Sequence, residues 1–417
     1  MQQSAKDRKR GNNPGGDNMR QSERDFITLL KAYANGEKAD ITSMNLEEIY
    51  EISNVNNLVA VIFTVIKDEL KDEVLYNKFN AGYFAHVMKQ TNQRLETNKL
   101  IERLNAEKIE HILIKGIVMC QIYTPPELRG MGDIDIIIEP SSRKKVDKIF
   151  AEMGYKATCE VEPVYTYAKN KIEFEIHSGV VHYAVTASYD IQKNCLIFLK
   201  DIWNNKEKVS GYTYVLNKNY DFIFLLLHLL KHFDLVGTGA RFFLDITLYI
   251  HKYELDFDYI NSQIEFFGLT GFVSLVFALC NDFFGLEMPK GHSIPEKKVL
   301  DYFADYSICK GIFGKQGQSD EVNTFRHKQE STKNLHYYLN FIKLSVNSVC
   351  PGIKIMRVRY PILKKLPFLL PIYWIKRVFE KATLENRFGL ATRRLLGINI
   401  NKNETKKQTE MFKKIGL

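Results

Sequence analysis

The chain is short of the features that mark secreted, zinc-bound or membrane-spanning proteins. Its 417 residues hold six cysteines, Cys120, Cys159, Cys195, Cys280, Cys309 and Cys350, with no C-x-x-C pair among them. That spacing excludes a zinc ribbon and offers no disulfide framework. The cysteines read as small core residues of a reduced compartment. No H-E-x-x-H occurs, which excludes the helical zinc-protease motif. The most apolar window, Phe266 to Leu286, is broken by Gly268, Gly271, Asn281 and Asp282, so it reads as a buried helix and not as a bilayer span. Residues 1–24 are charged and Asn/Gly-rich with no apolar stretch behind a basic start, and a cytoplasmic protein is expected.

What is present suffices for two or three domains, with the ordinary 45% of apolar residues. The formal net charge of +9 is concentrated at one end. From Lys354 to Leu417 there are 16 Lys and Arg against 4 Glu, a balance of +12, while the other 42 basic and 45 acidic residues leave −3. A partner that carries negative charge is therefore met by the C-terminal segment.

Residues 1–20 are polar and are expected to be disordered. A helical lobe follows over 21–105. There Asp25 to Tyr33 repeats its apolar residues at helical spacing, Asn45 before Glu47 and Glu48 marks a helix start, and Ala81 to Arg103 makes one long helix. A strand-rich core spans 106–215 and helices return over 216–350, with a loop at Gly314 to Ser331 and a last helix at His336 to Val349. The fold class is α+β: a small mixed β-sheet with a helical N-terminal lobe and a helical C-terminal region. In the basic segment 351–417, Tyr360 to Arg377 mixes three prolines with aromatics and lysines. It suits a membrane-surface or protein contact, or packing back on the body. The last 16 residues are expected to be disordered.

The chain is organised around Leu113 to Glu139. One strand delivers Lys115 and Gly116; a flexible lead-in, Arg129-Gly130-Met131-Gly132, opens the next, which carries Asp133 and Asp135. Side chains alternate along a strand, so both carboxylates point the same way. Adjacent carboxylates repel and resist desolvation unless a cation lies between them. Hard oxygen ligands of this kind suit Mg²⁺ and the phosphates of a nucleotide. An isolated D-x-D is equally the solvated mouth of a buried strand. Here a later strand, Lys171 to His177, sets Glu173, Glu175 and His177 on one face and offers a third carboxylate.

The Lys115-Gly116 turn, the R-x-x-x-D-I-D block from Arg129 to Asp135, the Glu175-x-His177 strand and the Lys231-His232 helix together resemble the bacterial uncharacterised nucleotidyltransferase family of the polymerase-beta-like superfamily. The resemblance runs from about Ile101 to about Ile250. It implies Mg²⁺-dependent, two-metal transfer of a nucleoside monophosphate from an NTP donor to a hydroxyl-bearing acceptor. By position Asp133 and Asp135 are the metal-binding pair. Glu175 is the third carboxylate, with Glu173 in reserve, and Gly116 is the turn that approaches the phosphates. The usual Ser after Gly116 is absent, which leaves Lys115 as its substitute, beside Arg129, for phosphate contact. Lys231, His232 and Arg241 are implied contacts to nucleotide or acceptor. Arg241 and Asp245, at i and i+4, equally make an internal ion pair. His228 and His232 share a helix face, and packed core histidines are the simpler reading of the two.

The acceptor stays open: a small molecule, a sugar, a peptide or a tRNA. Two other readings also stay open. One is the fold kept as a binding module without chemistry. The other is a nucleic-acid or membrane-surface binder acting through 354–417.

Overall fold

A computed structural model describes residues 19–309, apart from 162, 180–185, 187 and 236–237, together with 353, 356–357, 360, 362–376 and 402–417. The expected loop at Gly314 to Ser331 and helix at His336 to Val349 lie outside the described residues. Four helices come first. α1 (Gln21–Asn35) buries Phe26, Leu29 and Leu30 along one side and ends on Gly36 in the left-handed conformation. α2 (Leu46–Val55) starts where Asn45 accepts a hydrogen bond from the Glu48 amide at 3.2 Å. α3 (Val59–Ile66) is apolar nearly throughout and is enclosed by its neighbours. α4 (Glu73–Ala106) is 34 residues long, capped by Asp72, and carries Leu100 and Leu104 beneath the sheet.

The sheet has seven strands: β1 (His111–Leu113), β2 (Ile134–Ile138), β3 (Lys156–Val161), β4 (Val164–Lys169), β5 (Ile172–Ser178), β6 (Lys206–Ser210) and β7 (Thr213–Leu216). They lie in the order β3-β4-β5-β2-β1-β7-β6. The pairs β2/β5 and β1/β7 are parallel and the rest antiparallel. The fold is α+β with a mixed sheet, as expected. The hairpin β6–β7 adds an edge that the sequence reading does not include. Its outer strand is charged and exposed, a composition that discourages further pairing.

The remaining α-helices among the described residues include α5 (Gly116–Met119), α6 (Arg143–Glu152), α7 (Tyr189–Lys200), α8 (Lys218–Leu235), α9 (Ala240–Lys252), α10 (Phe257–Phe267), α11 (Thr270–Phe284), α12 (Lys297–Cys309), a one-turn helix at Ile362–Lys365 and α13 (Lys402–Lys414). The apolar window Phe266 to Leu286 begins at the end of α10, where Phe266 is exposed, and is otherwise mostly the buried α11; among the described residues no helix is long and apolar enough to cross a membrane.

The period-two alternation sorts the sheet into two faces. Ile134, Ile136, Ile138, Phe174 and Ile176 pack under α6 with Val146, Ile149 and Phe150. The intervening positions, Asp135, Ile137, Glu175 and His177, look the other way. There Ile112, Ile114 and Ile137 join a large core that contains the helices before the sheet and those after it together. The acidic residues thus sit on the face roofed by helices.

The expectation that the last 16 residues are disordered is overturned. α13 buries Gln408, Met411 and Phe412, followed by Ile415. Phe412 lies 5.5 Å from Phe233 of α8 and 5.2 Å from Phe303 of α12, ring centre to ring centre. A side chain at Gly271 would meet the Ile415 carbonyl oxygen at 2.8 Å, so glycine permits this close docking. Two apolar residues in a lysine-rich helix, with Ile415 just after it, are enough when an aromatic socket receives them.

Candidate active site

The Asp135 and Glu175 backbones are direct partners across the parallel β2/β5 ladder. Their side chains therefore stand next to each other on the helix-roofed face. Asp133 lies one residue before β2 and is exposed, and its carboxyl shares a hydrogen bond with Glu175. Two residues along β5, His177 donates from Nε2 to Asp135 Oδ1 at 3.0 Å and lies 3.6 Å from Glu175 Oε1. The three expected acids are brought together, and a buried imidazole joins them. Glu173 is exposed at the far end of its strand and outside the cluster.

Lys115 closes the group from β1. Its ammonium forms an ion pair with Asp135 Oδ1. Its backbone, at φ 56° and ψ −125°, occupies a region that glycine adopts more readily. The turn into α5 thus holds a strained lysine over the acidic strand. Gly116 is the first residue of α5, and its carbonyl oxygen is 3.4 Å from Arg129 Nη1.

Arg129 is turned inward. Its guanidinium makes a bidentate pair with Asp245 of α9, Nε to Oδ1 at 3.0 Å and Nη2 to Oδ2 at 2.9 Å, and Tyr123 donates to the same carboxylate at 2.8 Å. The ion pair expected between Arg241 and Asp245 is therefore formed by Arg129 instead. Arg241 donates to the Gly130 carbonyl oxygen at 2.8 Å, and its Nε has no hydrogen-bond partner among the described residues.

The lead-in to Asp133, read as flexible, is gripped along its length. Four residues on one face of α4 hold it. His86 meets the Leu128 carbonyl at 3.1 Å and Lys89 the Met131 carbonyl at 3.3 Å. Gln90 accepts from the Met131 amide at 2.9 Å, and Gln93 donates to the Gly132 carbonyl at 2.8 Å. The positions 86, 89, 90 and 93 follow the i, i+3, i+4, i+7 rule. A side chain at Gly130 would come within 2.0 Å of Asn57 Nδ2, which explains glycine in the tightest part of the loop. The signal for this grip was a stripe of polar residues on a helix that also bears a core face. Buried Gln90, Gln93 and Thr97 look like solvent residues in sequence alone.

The electrostatics follow from burial. Burial, and next the Asp135 charge, push the Glu175 carboxyl well above the usual carboxylate range. Burial also raises Asp135, but Lys115 and His177 outweigh it and hold that carboxyl low. One acid is charged and its neighbour favours a proton, as repelling carboxylates do when cations are scarce. Around them the basic groups of α8 and α9 are depressed. Burial, then Lys115, lowers Lys231, while Glu175, Asp135 and Asp133 act against that shift. Burial, then Lys231, takes His232 down to about 4, and burial, then Arg129, takes Arg241 down to about 10. His232 and His228 pack at a tilt against Phe242 with ring centres 5.1 and 5.8 Å away. Both stand outside the acidic cluster.

Asp135, Glu175 and His177 offer three ligand atoms within 4.8 Å of one another, the one such group among the described residues. Two carboxylates and an imidazole, with a carboxyl that takes up a proton against its normal tendency, fit a divalent cation.

The family described as "Uncharacterised nucleotidyltransferase" matches residues 42–285, more than half of the chain. The chain belongs to that family. No curated protein and no solved structure matches it at a significant level. The nucleotidyltransferase match runs from α2 to the end of α11. It takes in the acidic strands, the gripping helix α4 and the helices that carry Lys231 and Arg241, and leaves α12, the basic segment and α13 outside.

Proposed function

We propose that this nucleotidyltransferase moves a nucleoside monophosphate from an NTP to a hydroxyl-bearing acceptor at Asp133, Asp135 and Glu175, in the manner of the polymerase-beta-like enzymes. The observation that carries the reading is the in-register pairing of Asp135 with Glu175, which sets two carboxylates side by side with Lys115 paired to Asp135. The acceptor oxygen attacks the α-phosphorus, the bond to the β-phosphate bridge oxygen breaks, and pyrophosphate leaves. Bound at Asp133, Asp135 and Glu175, Mg²⁺ supplies charge neutralisation at the phosphates and a more acidic acceptor hydroxyl.

The chain's own groups do the rest. Lys115, Lys231 and Arg241 surround the acids with positive charge that suits a triphosphate. His232 adds a neutral ring edge for hydrogen bonding. Glu175 stands on the acceptor side, where its carboxylate would help hold the metal and take the acceptor's proton. His177 fixes the Asp135 carboxylate. Arg129, turned inward onto Asp245, positions the turn by holding the Gly116 carbonyl.

The test is calorimetric binding of each of the four NTPs, with and without Mg²⁺, to wild type and to Asp133→Asn/Asp135→Asn. Metal-dependent binding that the double variant loses is expected and identifies the donor. Binding that needs no metal, or survives the double substitution, overturns the assignment.

A further inference from the structure

The residues around Tyr360 build a small core of their own. Met356, Tyr360 and Leu363 are buried together, with Leu369, Leu370, Tyr373 and Trp374 packed against them. With that inner face satisfied, a second apolar set is left outside. Ile362 is 42% exposed, Leu366 39%, Phe368 72%, Ile372 60% and Ile375 61%. Single exposed apolar residues are ordinary, but five large ones between positions 362 and 375 form a patch.

The charge around the patch has one sign. Lys354 to Arg377 holds seven Lys and Arg and no Asp or Glu. Lys365 and Lys376 are exposed within the patch itself. A one-turn helix (Ile362–Lys365) and a 3-10 turn (Pro367–Leu369) carry part of the patch, and among the described residues no helix is fit to cross a bilayer. A contact made here lies in the plane of a surface.

We propose that this wedge docks the protein on an anionic lipid bilayer, with Phe368, Ile372 and Ile375 entering the boundary between headgroups and acyl chains and the lysines and arginines meeting lipid phosphates. The two features complement the two layers of such a surface, and reversible membrane binding commonly needs both signals together. A nucleic-acid surface would use the charge but leave the aliphatic residues without a role. The proposal does not rest on the nucleotide site.

The test is co-sedimentation of the full chain with vesicles of phosphatidylcholine alone and of phosphatidylcholine with phosphatidylserine. The wild type is expected to pellet with the anionic vesicles and to be released as salt is raised. Phe368→Ser/Ile372→Ser/Ile375→Ser is expected to bind about tenfold more weakly or worse. Lys365→Glu/Lys376→Glu is expected to lose the preference for phosphatidylserine. Because all five side chains point outward, an unchanged thermal midpoint shows that the variants are folded. No sedimentation of the wild type, or equal sedimentation of the triple serine variant, overturns the proposal. A dimer in ultracentrifugation that the triple variant abolishes, without vesicle binding, assigns the patch to a second copy of the chain and also overturns it. Binding to tRNA in place of vesicles does the same in favour of nucleic acid.

Discussion

Arg129 and Asp245 join the loop before the acidic strand to helix α9 through two parallel hydrogen bonds of 3.0 and 2.9 Å, with both side chains buried. The arginine also holds the Gly116 carbonyl, so one guanidinium ties α9 to both turns of the site. Removing it leaves a buried carboxylate with only Tyr123 as hydrogen-bond partner among the described residues. Arg129→Ala is expected to cost about 3–5 kcal/mol in urea unfolding. Arg129→Lys recovers only part of that loss, because an ammonium lacks the planar fork. An Arg129→Ala protein within ~0.5 kcal/mol of wild type would show that the pair does not hold the loop.

Lys115 lies on Asp135, where a bound cation would also be drawn. Lysine and metal therefore compete unless phosphates draw the ammonium away. Lys115→Met is expected to bind Mn²⁺ without nucleotide about tenfold more tightly than wild type, since a like charge is removed beside the ligands. The same variant should bind NTP more weakly in the presence of metal. Isothermal titration with the metal alone and then with the nucleotide separates the two effects. Equal Mn²⁺ affinity in both proteins would mean that Lys115 offers no competition.

The acidic centre was legible because its information is local. Asp133 and Asp135 share a face by strand alternation, and Glu175 and His177 do so on the next acidic strand. That these strands are parallel neighbours, with Asp135 opposite Glu175, is a fact of topology that alternation leaves open. The grip on the lead-in was not legible. Gln90 and Gln93 are polar residues on a helix, and only the fold buries them against the Met131 and Gly132 backbone. Arg129 illustrates the same limit: arginine before an acidic strand suits phosphate, yet its partner Asp245 lies 116 positions away. The edge strand β6 is charged and lacks the apolar alternation that marked the other strands.

The C-terminal helix is expected to bear on the site as well as on stability. Phe412 packs on Phe233, which directly follows Lys231 and His232 on α8. Phe412→Ala empties an aromatic socket and is expected to cost about 3–5 kcal/mol. Gly271→Ala brings a methyl group within 2.8 Å of the Ile415 carbonyl oxygen and should loosen the same docking by overpacking, at about 1–3 kcal/mol. Hydrogen exchange of α8 is the sharper measurement. Faster exchange around Phe233 in both variants is expected, and unchanged protection would show that α13 does not brace the helix.

Asp221 predicts a pH dependence whose sign is set by burial. The carboxyl lies in the core with one tyrosine hydroxyl, Tyr249, at 3.2 Å, and burial raises it to about 7 while that hydrogen bond acts to lower it. In the unfolded chain an aspartate titrates near about 4. Below that pH both states hold the proton, and the native carboxyl carries no charge penalty. Between about 4 and about 7 the unfolded state gives up its proton first, so stability falls as pH rises. Above about 7 the full cost, about 4 kcal/mol at about 1.4 kcal/mol per unit, is present. Asp221→Asn accepts the same hydrogen bond and cannot ionise. It should therefore be more stable than wild type at about pH 8, with an advantage that shrinks to about one third at about pH 5. Urea unfolding of the two proteins at both pH values tests this. A variant whose advantage is independent of pH would place the effect in packing and not in ionisation.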